Sequence, residues 1–296
     1  MQDEAIPRGL QTRGQEAAVL AVVLGVACVA YLGVLDGPKF RLDDAYIVLN
    51  NAAALFATDT AFPETPALHG STSFLHTVAA ALFGAVLSPE TGLMVLAWMG
   101  LGLFGAGVLE LARSAGLSLP MRALLAATAV TTGDLVQVHL NGLETGFAMA
   151  TVTWLIVLHR RGSWSLPIVA GMAPFVRPEL LLLSALIMVE ALVRAGIQRD
   201  TRRLRGIVGR FACVFGALLT IQYLMSGSVL PSTGDAKRYF FVVSDLDART
   251  ELRIGLQQVA LFLIQMLPLS VFLLAIVRRR CLPYALFALV LLGYFV

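Results

Sequence analysis

Charge is the first thing this chain lacks. Asp, Glu, Lys and Arg make up 14% of its 296 residues, against roughly 25% in an average soluble domain. That leaves too little polar surface to coat a globule in water, and lipid is the solvent that tolerates such a surface. The net charge of +3 is small, so bulk electrostatics does not point to a nucleic-acid binder. Cysteine is scarce as well. Cys28, Cys213 and Cys281 lie in or beside apolar runs without ligand spacing, which reads as small buried hydrophobes rather than a disulfide framework or a metal site. No internal repeat and no low-complexity segment stands out. A cleaved signal peptide is not expected either, because the first 16 residues mix Asp3, Glu4, Arg8, Arg13 and Glu16 ahead of a long apolar run.

What the chain has in quantity is apolar sequence. Hydrophobic residues make up 58% and the mean hydropathy is +0.80. Apolar segments predict spans near 17–35, 73–87, 92–112, 121–138, 145–158, 180–193, 207–225, 255–277 and 282–296. The stretch Leu166 to Phe175 holds Pro167 and Pro174 and reads as a broken or re-entrant helix. The expected fold is all-α, a polytopic transmembrane helical bundle of about 8–10 spans. It forms one module over 1–296, and 37–72 is its first outer loop. The chain stops at Tyr294-Phe295-Val296 inside an apolar run, as expected of a fragment or of an interfacial last segment.

Arginine sets the orientation. The clusters Arg194 to Arg210, Arg278 to Arg280 and His159 to Arg161 belong on the cytoplasmic side. Counting spans from them places 226–254, His139 to Glu144 and the neighbourhood of Arg177 outside. Arg113 is in conflict: counting forward from the N-terminus puts it outside, and counting back from the basic clusters puts it inside. One of 73–87 and 92–112 therefore fails to cross, and the first is the shorter.

Polar residues beside apolar runs are costly in a membrane and mark candidate sites. Asp43-Asp44 precedes a run whose apolar positions, from Ala45 to Phe56, suit an amphipathic helix lying at the interface. One Asp there serves as a helix cap. Two adjacent carboxylates repel, so that one stays proton-avid and acts as a base, or the two share a divalent cation. Glu144 follows an Asn141-Gly142 turn; it is either a first-turn acid or an acid aimed into a cavity. Arg177-Pro178-Glu179 sits between two apolar runs. Its arginine either snorkels to the interface or clamps an anionic phosphate, and Pro178 and Glu179 suit the first turn of a helix. Lys237 and Arg238, in the outer loop beside Tyr239, are interfacial anchors or phosphate ligands. His69 and Thr72 in His69-Gly70-Ser71-Thr72-Ser73 can hydrogen-bond a sugar, or the segment is only a helix start capped by Ser71 or Thr72. His76 reads as a packed residue.

Together these marks resemble a known family. A first outer loop opening with Asp43-Asp44-Ala45-Tyr46 and ending in Gly70-Ser71-Thr72-Ser73 resembles the GT-C glycosyltransferases, multi-span enzymes that use polyprenyl-phosphate sugars. The later marks Gly142-Leu143-Glu144-Thr145, Arg177-Pro178-Glu179 and Leu230-Pro231-Ser232-Thr233 with Ala236-Lys237 resemble the branch containing the terminal arabinofuranosyltransferases of actinobacterial cell walls. The resemblance covers roughly 16–240. It implies a bacterial plasma-membrane enzyme working on the extracytoplasmic side, with a polyprenyl-phosphate sugar as donor and a glycan, lipid or protein as acceptor. It implies that Asp43 or Asp44 is the base, that Arg177, with Lys237 or Arg238, holds the donor phosphate, and that Glu144, with His69, Thr72 and Glu179, binds sugar or acceptor. It implies no certain cofactor, and a divalent cation at Asp43/Asp44 is the one candidate. Two other classes fit the composition: a secondary transporter or lipid flippase, for which the missing repeat is a mark against, and a non-catalytic membrane scaffold.

Overall fold

The computed structural model describes residues 8–34, 40, 43–56, 68, 71–131 and 139–229, with five further positions at 249, 250, 253, 256 and 257. The expectations for His69, Lys237, Arg238, Cys281 and the last two apolar segments lie outside the described residues. Among those described, every regular element is an α-helix. In chain order they are α1 (Arg8–Val34), α2 (Asp43–Phe56), α3 (Phe74–Val86), α4 (Pro89–Ser114), α5 (Leu119–Thr131), α6 (Thr145–Arg161), α7 (Leu166–Val176), α8 (Leu180–Ile197) and α9 (Thr201–Ser226).

Local chemistry explains the boundaries. α4 starts at Ser88, whose hydroxyl accepts from the Thr91 amide; Pro89 follows in the first turn, and Arg113 closes the last. Asp200 caps α9 by accepting from the Arg203 amide, and Gly227, at φ 70°, ends it. α3 is capped by Ser73, which accepts from the His76 amide. Neither Ser71 nor Thr72 caps it, because the Ser71 hydroxyl is taken up by Thr77 Oγ1 at 2.6 Å and the Ser73 carbonyl at 3.2 Å. The expected break around Pro167 and Pro174 is not seen. Pro167 sits in the first turn of α7, Pro174 lies in its last, and the helix runs unbroken to Val176.

α4 is the spine. Its glycines let neighbouring backbones approach closely. A Cβ on Gly92 would lie 2.6 Å from the Gly84 nitrogen of α3, one on Gly100 3.0 Å from the Gly146 carbonyl carbon of α6, and one on Gly107 2.7 Å from Thr153 Cγ2. The pairing order makes α3 antiparallel and α6 parallel to α4. Trp154 adds a cross-helix bond, its indole donating to the Leu103 carbonyl at 2.9 Å. A second apolar cluster joins α6, α7, α8 and α9 around Leu155, Ala173, Leu183 and Ile187.

One end of this assembly is tied by charge. Glu16 of α1 pairs with Arg122 of α5 and lies 3.4 Å from Arg113 of α4. Glu110 pairs with Arg113 and with Arg161 at the end of α6. Arg113 thus shares an end with Glu16 of α1 and with Arg161 at the end of α6. α3, with 13 residues, rises about 20 Å, short of a hydrocarbon core of about 30 Å.

The outer surface is apolar where a soluble protein would be polar. α4, α8 and α9 are each long and apolar enough to cross a membrane, and only 11% of the α9 window is buried within the fold. Val22, Val26 and Val29 on α1, Val189 and Val193 on α8, and Leu224 on α9 are exposed. Contiguous apolar surface of this kind is suited to lipid. Cys213, expected to be buried, is exposed on α9, consistent with a helix that turns most of its surface outward.

Candidate functional site

The sequence marks within the described residues are linked around one turn, at the end of α6 away from its Arg161–Glu110 pair. The centre is the turn between α5 and α6. Gly142 has φ 83°, a backbone state that favours glycine. The Asn141 side chain accepts from the Leu143 amide at 2.9 Å, an Asx turn that fixes the loop before Glu144. The Gly142 carbonyl accepts from His76 Nε2 at 3.1 Å. A carbonyl cannot donate, so His76 carries its proton on Nε2 in this arrangement. His76 is 3% exposed. It is packed, as read from the sequence, but it also locks α3 to the central turn.

α2 rests on the same turn. A Cβ on Gly142 would lie 2.7 Å from the Phe40 ring and 3.0 Å from Ala45 Cβ. The absence of a side chain at 142 therefore allows the start of α2 to close on the turn. Asp43 and Asp44 are the first two residues of α2, directly before Ala45. The expected amphipathic character of this helix is present: Ala45, Val48, Leu49 and Ala52 are buried while Tyr46 and Ile47 are exposed.

Glu144 precedes the first turn of α6 and makes no side-chain cap bond. Its buried carboxylate is directed instead to Arg177, whose Nε lies 3.3 Å from Glu144 Oε1 and 3.7 Å from Glu179 Oε2. Arg177 is therefore held by two acids and does not simply snorkel. Neither contact has hydrogen-bond geometry: Arg177 Nε and Glu179 Oε2 are both buried without a hydrogen bond. The closest approach in both ion pairs is through Nε, and among the described residues neither terminal Nη group makes a hydrogen bond. The arginine side chain is 34% exposed, so its fork remains open to a ligand. Pro178 and Glu179 fall just before α8 rather than in its first turn.

The hydroxyl-rich segment is mainly structural. Ser73 Oγ donates to the Phe175 carbonyl at 3.4 Å, which ties the start of α3 to the chain two residues before Arg177. Thr77 Oγ1 donates to the Ser73 carbonyl at 2.9 Å. Thr72 is half-buried beside them. Leu68, buried at φ 71°, accepts from the Ser71 amide at 3.2 Å. A non-glycine residue in that state costs about 1–2 kcal/mol.

His139 is the residue that sequence reading passed over. It is fully buried, stacks on Phe104 with ring centroids 5.1 Å apart, and has no hydrogen-bond partner for either ring nitrogen among the described residues. Burial holds it near neutrality, with its pKa lowered from 6.5 to about 4. Its position beside Asn141-Gly142 was the available signal.

The arrangement presents a partly exposed guanidinium and a buried carboxylate beside the turn on which the start of α2 rests. It can bind an anion at Arg177. No protein-family model, no curated protein and no solved structure matches the chain.

Proposed function

We propose that this chain is a polytopic membrane glycosyltransferase that transfers a sugar from a polyprenyl-phosphate donor to an extracytoplasmic glycan, lipid or protein acceptor, with inversion at the anomeric carbon. The observation that carries the reading is the partly exposed guanidinium of Arg177, held by Glu144 and Glu179 with no Nη hydrogen bond among the described residues, on the same turn system that receives the start of α2. The charge pattern supports the orientation: the arginine-rich end, with Arg113, Arg122 and Arg161, faces the cytoplasm, and the Asp43–Arg177 end faces outward.

The chemistry needs a base at the water–lipid boundary, where a polar acceptor and a greasy donor meet. Asp43 or Asp44 takes the proton of the acceptor hydroxyl. The oxygen attacks the anomeric carbon as the bond from that carbon to the phosphate oxygen breaks. The electron pair leaves with polyprenyl phosphate, and Arg177, with Lys237 or Arg238, stabilises the charge that develops there. Glu144 fixes Arg177 and is near enough to orient a hydroxyl, with His69, Thr72 and Glu179 as further polar contacts. A partly exposed arginine whose Nη groups make no hydrogen bond among the described residues suits a phosphate better than a neutral solute, which favours this reading over transport of an uncharged substrate.

The test uses the full chain in lipid nanodiscs with a panel of radiolabelled polyprenyl-phosphate sugars and a mixed acceptor extract. Release of polyprenyl phosphate with a labelled acceptor is expected for one donor. Folded D43N/D44N is expected to lose about 10²–10⁴ in rate, and R177Q about 10²–10³. Normal transfer by D43N/D44N refutes the base assignment. Cysteine-accessibility labelling that puts positions 43 and 177 on opposite faces of the bilayer refutes the site.

A further inference from the structure

The arginine-rich end carries a feature that orientation alone does not require. Between the end of α6, the start of α7, the end of α8 and the first half of α9 lies a cavity of ≈ 530 Å³. Six arginines line it: Arg160, Arg161, Arg194, Arg202, Arg203 and Arg210. A bias of basic residues to the cytoplasmic side explains their number. It does not explain why three separate helices bring them to one hollow.

Their partners account for only part of the charge. Arg161 pairs with Glu110 and Arg194 with Glu190. Asp200, the one acid in the wall, is occupied as the α9 cap, accepting from the Arg203 amide at 2.9 Å. Arg203 reaches the neutral Gln198 side chain at 3.5 Å, and Arg210 donates to the Trp164 carbonyl at 3.0 Å. Arg160 and Arg202 have no side-chain partner among the described residues. Even if Glu110, Glu190 and Asp200 are all counted against the six arginines, three positive charges remain uncompensated in one concavity.

The wall is also shaped. Gly162, at φ 61°, passes so close to Arg203 that a Cβ there would lie 3.3 Å from Nη2, so the glycine leaves the guanidinium its place. Arg210 lies over the Trp164 ring, 5.6 Å from its centroid, which orients the planar fork. Trp164 is 68% exposed at the rim. An exposed indole beside apolar helices is typical of the level where lipid headgroups lie.

We propose that this cavity binds a phosphate-bearing anion at the arginine-rich face, separately from the Arg177 site. Several guanidinium groups lining one cavity suit a tetrahedral phosphate, which accepts from many directions. The volume admits a phosphate together with a glycerol or small ester. The proposal does not rest on the glycosyltransferase reading.

The same chemistry has two sources, an anionic lipid headgroup and free phosphate, and the test separates them. The full chain is purified in nanodiscs of phosphatidylcholine with and without phosphatidylglycerol, and lipid retention is read by native mass spectrometry. In parallel, inorganic phosphate is titrated in phosphatidylcholine discs and the melting temperature is followed. The variant is R160Q/R202Q, and the control is R199Q/R205Q, which removes equal charge from exposed positions outside the wall. Selective retention of phosphatidylglycerol, reduced about tenfold in R160Q/R202Q and unchanged in the control, identifies a lipid headgroup. A phosphate-dependent rise in melting temperature with the same variant pattern, without lipid selectivity, identifies free phosphate. Equal losses in both variants, or no response to either anion, overturn the proposal. R202Q alone decides the point if the double variant does not purify.

Discussion

The contact between Gly142 and the start of α2 makes a prediction that can be worked through from geometry. In G142A the new methyl meets two costs. The first is conformational: at φ 83° a non-glycine residue loses about 1–2 kcal/mol. The second is steric, because Phe40 stands at 2.7 Å and Ala45 at 3.0 Å from the added Cβ. Overpacking of this kind costs about 1–3 kcal/mol. Gly116 provides the control. It has a similar φ of 76° but nothing within 4 Å of an added Cβ, so G116A bears the conformational cost alone. Thermal unfolding of the purified protein in one detergent should therefore rank wild type above G116A above G142A. The G142A-to-G116A gap should be about 1–3 kcal/mol, several degrees in melting temperature. If G142A and G116A melt together, Phe40 and Ala45 do not rest on the turn, and the placement of the start of α2 against it is lost with them.

Two further predictions concern the neighbouring charges. A double-mutant cycle of E144Q and R177Q, read by melting, is expected to give a coupling of about 1–2 kcal/mol. That is less than the roughly 3–5 kcal/mol of a fully buried pair, because the Arg177 side chain is 34% exposed and water screens it; additive single effects would remove the ion pair from the site. His139 predicts a pH dependence. Its folded pKa of about 4 lies below the ordinary 6.5, so its neutral form is fully compatible with the fold above pH 6.5. As pH falls towards 4 the unfolded chain takes up the proton first, and stability drops by up to about 1.4 kcal/mol per pH unit. H139N should melt with a shallower dependence between pH 6.5 and 4 than wild type, and parallel curves would count against the desolvated imidazole.

The sequence by itself determined the class of solvent, the helical character and most helix positions. Scarce charge and long apolar runs leave a chain no way to satisfy its backbone in lipid except helices or closed barrels, and runs of this length favour helices. Caps such as Ser88 and Asp200 then set the ends. Polar residues flanking apolar runs stood out for the same reason, which is why Asp43-Asp44, Glu144 and Arg177 were legible as candidates. What only the tertiary structure decided is which of them meet. Ser73 bonds to Phe175 across 102 positions, Phe40 and Ala45 close on Gly142, and Arg177 finds Glu144. It also turned α9 outward, exposing Cys213, and gathered arginines from three helices around one cavity. Periodicity reports one face of one helix at a time. The apolar faces of neighbouring helices are nearly equivalent in lipid, so their pairing is settled by close fit, at Gly92, Gly100 and Gly107 along α4, and a linear pattern does not encode that fit.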